Sequence, residues 1–298
     1  MADKKKQSTS FHYKRLKRKW VAHHRKLQKS LWEKHGSSLA WLAEKFPKHQ
    51  LAAGSLGTLL MLSAPVQAAL PKPELLLVKQ VEERENKTTT LKESLVSVLP
   101  SPVRSLTPDE ETRIGQILSE SFGFRVTSEL DGKKLNRSYG IIGAEQHLAR
   151  YPGDSMATHF SSPEESALYY SSGMAPGLGA WRYFATSQTQ MTPVDVAREK
   201  YYIAVQTFLV PDYNQRVAEY TNFFRYRKML VVNPENGKAI VAVIGDAGPA
   251  EWTGKHLGGS PEVMKHLERV DGTAKGPVIY FFIDDPEDKV PLGPMELK

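Results

Sequence analysis

Asp246 is the residue of this chain whose type and position most clearly suggest chemistry. It follows the apolar run Lys238–Ile244 and precedes Gly248-Pro249. A carboxyl group at the end of an apolar strand is partly removed from water, which raises its pKa and suits general acid catalysis. An Asp in this position can instead hydrogen-bond the backbone of the following loop and stabilise it. The pattern leaves both roles open.

Aromatic residues in loop-like segments form a second group that could bind a ligand. Their rings can stack on flat apolar faces such as those of sugars, although Tyr and Trp are also ordinary residues of a barrel core or rim. The residues predicted to contact a substrate are Tyr169, Tyr170, Trp181 and Trp252.

Two acid–histidine pairs stand out in the first half of the folded region, Glu145 with His147 and Asp154 with His159. Such pairs are more often solvated or mutually satisfied than catalytic or metal-binding. The chain has no cysteine, which excludes a thiolate metal site and a cysteine nucleophile. The glycine-rich stretch 173–180 lacks a following Lys-Ser/Thr, so it does not predict a phosphate loop. We therefore predict no metal and no cofactor.

The elements that would position Asp246 are mainly short strands. The runs Met229–Val232 and Lys238–Ile244 flank Asn236-Gly237, which is typical of a hairpin turn. Tyr201–Phe208 alternates like a half-buried strand, Ser260-Pro261 begins a short helix, and Pro277–Ile283 reads as a final strand. The pattern predicts a mainly β fold, a small barrel with short helices.

A smaller region precedes this barrel and is predicted to mix helix and strand over 107–164. Thr107-Pro108 followed by acidic residues is typical of a helix start, and Gly123 could end that helix. Asp131-Gly132 favours a hairpin turn. Residues 72–106 contain a charged run followed by Pro100 and Pro102, a composition that predicts a linker, either a spacer or a loosely helical stalk with no face to bury.

The hairpin, the loop Asp246-Ala-Gly-Pro249 and the helix after Ser260 together resemble the double-psi β-barrel of the rare lipoprotein A family, which is similar to expansin-like domains. The resemblance covers about residues 165–283. It implies that residues 165–298 form a double-psi-like barrel that acts on or binds cell-wall glycan. It also implies that Asp246 matches the acidic residue of the family.

The chain departs from that family's pattern at three points. Gly245 replaces an Asn, Gly259 replaces an Asp, and the stretch from Lys200 to Lys228 contains no His. The resemblance therefore implies one of two functions. The first is a lytic transglycosylase-like enzyme with Asp246 as its acid/base, and the second is a non-catalytic cell-wall binding or scaffolding module.

The positive charge lies almost entirely in the N-terminal leader. The chain carries a net charge of +7, but residues 1–50 hold 14 Lys and Arg against 3 Asp and Glu, and the remainder holds 26 against 30. A basic tract with aromatic residues could bind nucleic acid, or it could lie on an anionic membrane surface. The uncharged segment 51–71 that follows favours the membrane, and a nucleic-acid partner is not expected.

The leader and the apolar segment together predict export. Small residues at Val66 and Ala68 fit a signal-peptidase site, so residues 51–71 are a signal or a membrane anchor, and cleavage after Ala68 or Ala69 stays open. The alternative is a buried helix in a soluble protein. The positive-inside rule places residues 1–50 in the cytoplasm and the body in the extracytoplasmic cell envelope, secreted or anchored. The sequence does not predict an oligomeric state.

Overall fold

The structure is a computed structural model that describes residues 73–269 and 275–298, with side chains described from residue 82 onward. The predicted leader at 1–50, the apolar segment at 51–71 and the cleavage site after Ala68 or Ala69 lie outside the described residues. Among the described residues, no helix is both long enough and apolar enough to cross a bilayer.

Ten strands of the described residues are labelled here in chain order, and six of them close into a barrel. Each ring strand pairs with the next in the order β4, β8, β5, β7, β6, β9, and β9 pairs again with β4. The fold class predicted from the sequence, a β-barrel with helices, is confirmed. The bounds are β1 Val126–Thr127, β2 Glu129–Leu130, β3 Lys133–Lys134, β4 Tyr139–Ala144, β5 Tyr202–Val205, β6 Lys228–Val232, β7 Ala239–Ala247, β8 Leu257–Gly259, β9 Gly276–Ile283 and β10 Gly293–Met295.

Alternation along the strands divides the barrel residues between an interior and an outer face. In β7, Ile240, Ala242 and Ile244 belong to the interior cluster, while Val241 belongs to a second cluster on the outside. Successive side chains of a strand point to opposite faces, and in β7 both faces are buried from Ala239 to Gly245. The interior is filled by side chains, as expected for a barrel of this size.

Six α-helices of the described residues accompany the barrel, and several begin with the predicted caps. Thr107 caps α2 through a full capping box, and Gly123 ends the helix at φ +77°. Ser260 caps α6 by accepting a hydrogen bond from the backbone of Val263. The bounds are α1 Pro73–Val98, α2 Pro108–Phe122, α3 Pro163–Tyr169, α4 Pro193–Lys200, α5 Val217–Phe224 and α6 Pro261–His266.

The segment predicted as a linker, residues 72–106, contains a packed helix instead. Leu91 and Leu95 of α1 are buried in the outer cluster together with Ile114 and Leu118 of α2. The two leucines are four residues apart and therefore lie on one face of the helix. The charged run that precedes them in α1 led to the prediction of a linker. The helix therefore belongs to the folded body and covers the outer face of β7 and β9.

Strand direction gives the barrel two distinct ends. β4 runs parallel to β8, β5 runs parallel to β7, and β5 is antiparallel to β8. Consequently β5 and β7 finish at the end where β4 and β8 begin, and we call this the Asp246 end. The opposite end, where β5 begins just after Glu199, is called the Glu199 end.

The packing of α1 predicts the effect of truncating one side chain. Leu95→Ala should lower the free energy of unfolding by about 2–5 kcal/mol, because Leu95 is fully buried and its loss leaves a cavity. Denaturant unfolding of the full-length chain measures this change. The matched control is the neighbouring Val96→Ala, since Val96 is 69% exposed and should change stability little. Equal effects of the two substitutions would contradict the packing of α1.

Candidate functional site

Asp246 lies at the second-last position of β7, half-buried at its end of the barrel. Its Oδ1 accepts hydrogen bonds from the backbone N–H groups of Ala180 and Ala247, at 2.6 and 2.7 Å. A Cβ atom at Gly179 would lie 3.3 Å from Cγ of Asp246, so the absence of a side chain there permits this close approach. Within the described part of the chain, no side chain hydrogen-bonds the carboxylate.

These surroundings change the proton affinity of the carboxyl group in opposite directions. Burial raises the pKa of Asp246, and the hydrogen bonds from Ala180 and Ala247 lower it, with a net pKa above the ordinary value. A raised pKa keeps a carboxylic acid protonated at higher pH, which a general acid requires. The amide contacts also hold the group in place, which is what its structural role would require. Both roles that the sequence left open are therefore compatible with this geometry.

Trp181 lies next to this site in the chain but does not present its ring to solvent. The side chain is only 6% exposed, belongs to the interior cluster, and donates its indole N–H to the carbonyl oxygen of Ile244 at 3.0 Å. Its contacts anchor the loop that carries Gly179 and Ala180 against β7. Trp181 thus positions the amide that holds Asp246, and its ring is covered in this structure.

Trp252 has the opposite environment, because it is 89% exposed in the loop 248–256. This loop joins Asp246 and β7 to the start of β8. Gln206 holds both ends of the loop, since its side-chain amide donates to the carbonyl oxygens of Pro249 at 3.1 Å and Lys255 at 3.3 Å. An exposed indole on a loop fixed in this way is available to stack on a ligand.

Tyr169 and Tyr170 lie apart from Asp246, at the Glu199 end. Tyr169 lines a cavity of about 450 Å³ together with Lys265, whose Nζ lies 5.1 Å from the centre of the Tyr169 ring. Burial, reinforced by the charge of Glu262, raises the pKa of Tyr169 to about 12, so its hydroxyl is neutral. Tyr170 is 55% exposed. The four aromatic residues predicted as substrate contacts are therefore not brought together in one site.

A buried network of charged side chains occupies the Glu199 end. Glu199 Oε2 accepts a hydrogen bond from Arg150 Nε at 3.0 Å and faces His159 Nε2 at 3.1 Å. Its Oε1 faces His147 Nδ1 at 3.3 Å. His159 Nδ1 lies 2.8 Å from Asp154 Oδ2. Glu199, His147 and His159 have no exposed side-chain surface. The predicted pair Asp154 and His159 is present.

The other predicted pair has different partners. Glu145 pairs with Lys255 Nζ at 2.6 Å, while His147 faces Glu199. Sequence reasoning did not identify Glu199 or Arg150, because Glu199 lies 52 residues beyond His147 and only the fold brings them together. The helix α4, capped by Thr192, carries Glu199 in its last turn next to β5. No local sequence signal marks that position.

The pKa values of His159 and Glu199 are set by their neighbours in the network. Burial alone would lower the pKa of His159, but its hydrogen bonds to Asp154 and Glu199 outweigh burial and raise the pKa to about 9. Burial alone would raise the pKa of Glu199, but the hydrogen bonds from His147 and His159 outweigh burial and hold that pKa well below the ordinary value. His159 and Arg150 are therefore cations that balance the anions Glu199 and Asp154.

The same residues include a donor set that a metal ion could use. One ligand atom from each of His147, His159 and Glu199 lies within 4.8 Å of the others, and two imidazoles with one carboxylate can bind Zn²⁺. Yet His159 faces carboxylates with both ring nitrogens, and Arg150 already donates to Glu199. A cation placed there would face a guanidinium and a protonated ring. The geometry therefore favours an ion network that fixes the loop 147–159 to α4.

Several buried atoms in or beside the network have no hydrogen-bond partner in the described structure. They are Nε2 of His147 and Oδ1 of Asp154 within the network, and both carboxylate oxygens of Glu262 beside it. Burial, with the charge of Glu199 second, raises the pKa of Glu262 to about 7. Glu262 is therefore neutral over much of the pH range in which an ordinary glutamate is charged.

The network predicts the effect of removing its central charge. Glu199→Gln should lower the free energy of unfolding by about 3–5 kcal/mol near pH 6, because Arg150 and His159 would remain buried without their shared anion. In the parent protein, protonated His159 stabilises the fold fully below pH 6.5, and this contribution is lost as the pH rises through about 9. Removing one of its two anions should lower the pKa of His159 and move that loss to lower pH.

Denaturant unfolding between pH 6 and pH 9.5, with imidazole NMR signals to titrate His159, measures both effects. Glu120→Gln is the matched control, because Glu120 is exposed on α2 and lies outside the network. Parent-like stability and an unchanged titration of His159 in Glu199→Gln would contradict the assigned network.

Replacing Glu262 should change stability in the opposite direction to Glu199→Gln, because it should remove a loss of stability. Its folded pKa of about 7 exceeds the ordinary 4.5, so the neutral form stabilises the fold below pH 4.5 and this advantage is lost as the pH rises through 7. Glu262→Gln should abolish that loss, which amounts to about 3 kcal/mol between these limits. Unfolding measured at pH 4.5 and pH 8 tests the difference between variant and parent. A parallel pH dependence in both proteins would refute the assignment.

The chain was also compared with family models, with curated proteins and with solved structures, and none of the three comparisons found a match. The function must therefore be argued from the chemistry of the sites and the sequence pattern.

Proposed function

We propose that this protein is exported to the cell envelope and acts on the glycan of the cell wall at the Asp246 end of its barrel. The observation that carries the proposal is the half-buried carboxyl group of Asp246, whose pKa is raised and whose position is held by Ala180 and Ala247. The exposed Trp252 on the adjoining loop supplies an apolar ring for a sugar face.

The barrel topology supports the more specific assignment to a double-psi-like barrel. The six-stranded ring contains two parallel pairs, β4 with β8 and β5 with β7, among antiparallel ones. The hairpin before Asp246 has the expected arrangement, because β6 and β7 pair in register from Val232 with Ala239 onward. The β5–β7 pair and the hairpin agree with the resemblance of residues 165–283 to the rare lipoprotein A family, whereas β4 comes before residue 165, so the ring begins earlier in the chain than the resemblance does.

A single acid is sufficient for a lytic transglycosylase-like cleavage. Protonated Asp246 would donate its proton to the glycosidic oxygen as the bond between that oxygen and C1 breaks. The resulting carboxylate would then take the proton of the 6-hydroxyl group of the same sugar while that oxygen bonds to C1. The products are a 1,6-anhydro end and a free hydroxyl end, and Asp246 regains its proton. Ordinary glycosidases instead need two carboxyl groups at a defined separation.

The second candidate function is a non-catalytic cell-wall binding or scaffolding module. It is favoured by the absence of a side-chain hydrogen bond to Asp246 among the described residues, and by the two backbone amides on its Oδ1. Catalytic acids are commonly oriented by a further polar side chain. In this alternative, Trp252 and the loop 248–256 would hold glycan without cleaving it.

Export is supported by the sequence alone. The basic leader at 1–50 and the uncharged segment 51–71 have the order and charge of a cytoplasmic leader followed by a signal or anchor. The membrane is therefore a proposed partner through residues 51–71, and cell-wall glycan is the proposed partner of the barrel.

Asp246→Asn separates the two functions. If the protein cleaves glycan, the full-length parent should release soluble fragments from purified peptidoglycan. The rate of release by the variant should be at least about 100-fold lower, because the amide of Asn cannot donate and accept the proton. The parent rate should also fall as the pH rises through the raised pKa of Asp246, since only the protonated form is active. Fragment analysis and zymography measure both effects.

The matched control is Asp131→Asn, because Asp131 sits in an exposed hairpin turn at φ +52°, a conformation that Asn also accepts. It should cleave like the parent. Absence of release from the parent, together with pelleting on cell wall that does not depend on Asp246, would leave the binding module. If the parent neither releases fragments nor pellets with the cell wall, the proposed function is refuted.

A further inference from the structure

Arg137, two residues before β4, has a guanidinium group with unused hydrogen-bonding capacity. Its Nε and Nη1 are both buried and have no hydrogen-bond partner in the described structure. No carboxylate of residues 82–269 or 275–298 forms an ion pair with it, although most other arginines in this range do pair. A buried donor without a partner is costly, and for a cation the natural complement is an oxyanion.

His256 lies beside Arg137, just before β8. Both side chains pass over Gly140, where a Cβ atom would lie 2.8 Å from Cβ of His256 and 3.0 Å from Cδ of Arg137. Because β4 carries no side chain at that position, the two residues can approach each other across the strand.

The protonation of His256 is set by a backbone contact. The N–H group of Ile141 donates to His256 Nδ1 at 2.9 Å, so the neutral ring carries its proton on Nε2. Burial, and then the positive charge of Arg137, lowers the pKa of His256 and keeps the ring neutral. His256 therefore offers Nε2–H as a third donor close to the two free donors of Arg137.

This pair lies at the same end of the barrel as Asp246. β4 and β8 begin at this end and β7 finishes there. The loop 248–256 starts next to Asp246, carries Trp252 and ends at His256, and Gln206 holds both of its ends. Asp246, Trp252 and the Arg137–His256 pair are thus parts of one end connected by one fixed loop.

We infer that Arg137 and His256 form an oxyanion-binding subsite that selects glycans carrying carboxylate groups over neutral glycans. The inference rests on the proposed function, because it assigns the class of glycan bound at the same end. Arg137 supplies the charge, and its planar guanidinium group can present a pair of parallel N–H donors to a carboxylate, which a lysine cannot. His256 supplies a further neutral donor.

The test uses the full-length protein and three probes. One is a disaccharide-peptide fragment of peptidoglycan, which carries carboxylates. The second is a chito-oligosaccharide, which has similar N-acetylated sugars and no carboxylate, and the third is inorganic phosphate alone. Calorimetry measures affinity, and the NMR signals of the His256 ring report occupancy. The parent should bind the carboxylate-bearing fragment at least about tenfold more tightly than the neutral oligosaccharide.

Arg137→Gln should remove that preference and leave binding of the neutral oligosaccharide unchanged, while Arg137→Lys should restore part of it. Far-UV circular dichroism and thermal unfolding establish that each variant is folded. Arg125→Gln is the matched control, since Arg125 is exposed and pairs with Asp284 after β9, which ends at this end of the barrel. It should behave like the parent.

The outcomes separate the subsite from the function it rests on. Equal binding of both sugars by the parent, or a parent-like preference in Arg137→Gln, would overturn the subsite and leave the proposed function standing. If the parent binds neither sugar, both the subsite and the proposed function are refuted. Phosphate binding that depends on Arg137 would in that case identify a free-anion site.

Discussion

Closure of the six-stranded ring is the constraint on which the rest of this structure depends. A barrel of this size has an interior just large enough for its own side chains, and here Ile203, Ile240 and Phe282 are among those that fill it. A ligand therefore cannot enter between the strands. Sites for polar ligands are therefore expected at the two ends and in the loops that cross them, and the acidic groups Asp246 and Glu262, whose pKa values are raised, lie there.

The two ends differ in how completely their charges are matched. At the Glu199 end, Arg150 and His159 balance Glu199 and Asp154 within a buried network, an arrangement that fixes loops to helix α4. At the Asp246 end, the carboxylate has only backbone donors and the guanidinium of Arg137 has unused donors. Buried groups without a partner also occur at the Glu199 end, at Nε2 of His147 and in Glu262, so the two ends differ in the pairing of opposite charges and not in the number of unpaired atoms.

Local patterns predicted the elements well and the long-range contacts poorly. The Asn236-Gly237 turn and the Thr107 and Ser260 caps depend on neighbours within a few residues, and each is present. The predicted half-burial of Tyr201–Phe208 is wrong, because β5 spans only Tyr202–Val205 and is buried on both faces. The predicted linker at 72–106 was wrong over α1, because two leucines on one face decide its packing. Glu199 and Arg137 were not identified from the sequence. The role of Glu199 depends on partners, and that of Arg137 on the lack of partners, and only the folded chain defines either.

The order in which the barrel strands occur along the chain has a consequence for folding during synthesis. β4 pairs with β8 and β9, and β9 follows every other strand of the ring. The ring therefore cannot close until β9 has been made, and pairings across such long separations form slowly. Until then the chain emerging from the ribosome lacks its barrel. A chain that folds late stays unfolded for longer after synthesis, and an unfolded chain can be translocated across a membrane, which agrees with the proposed export.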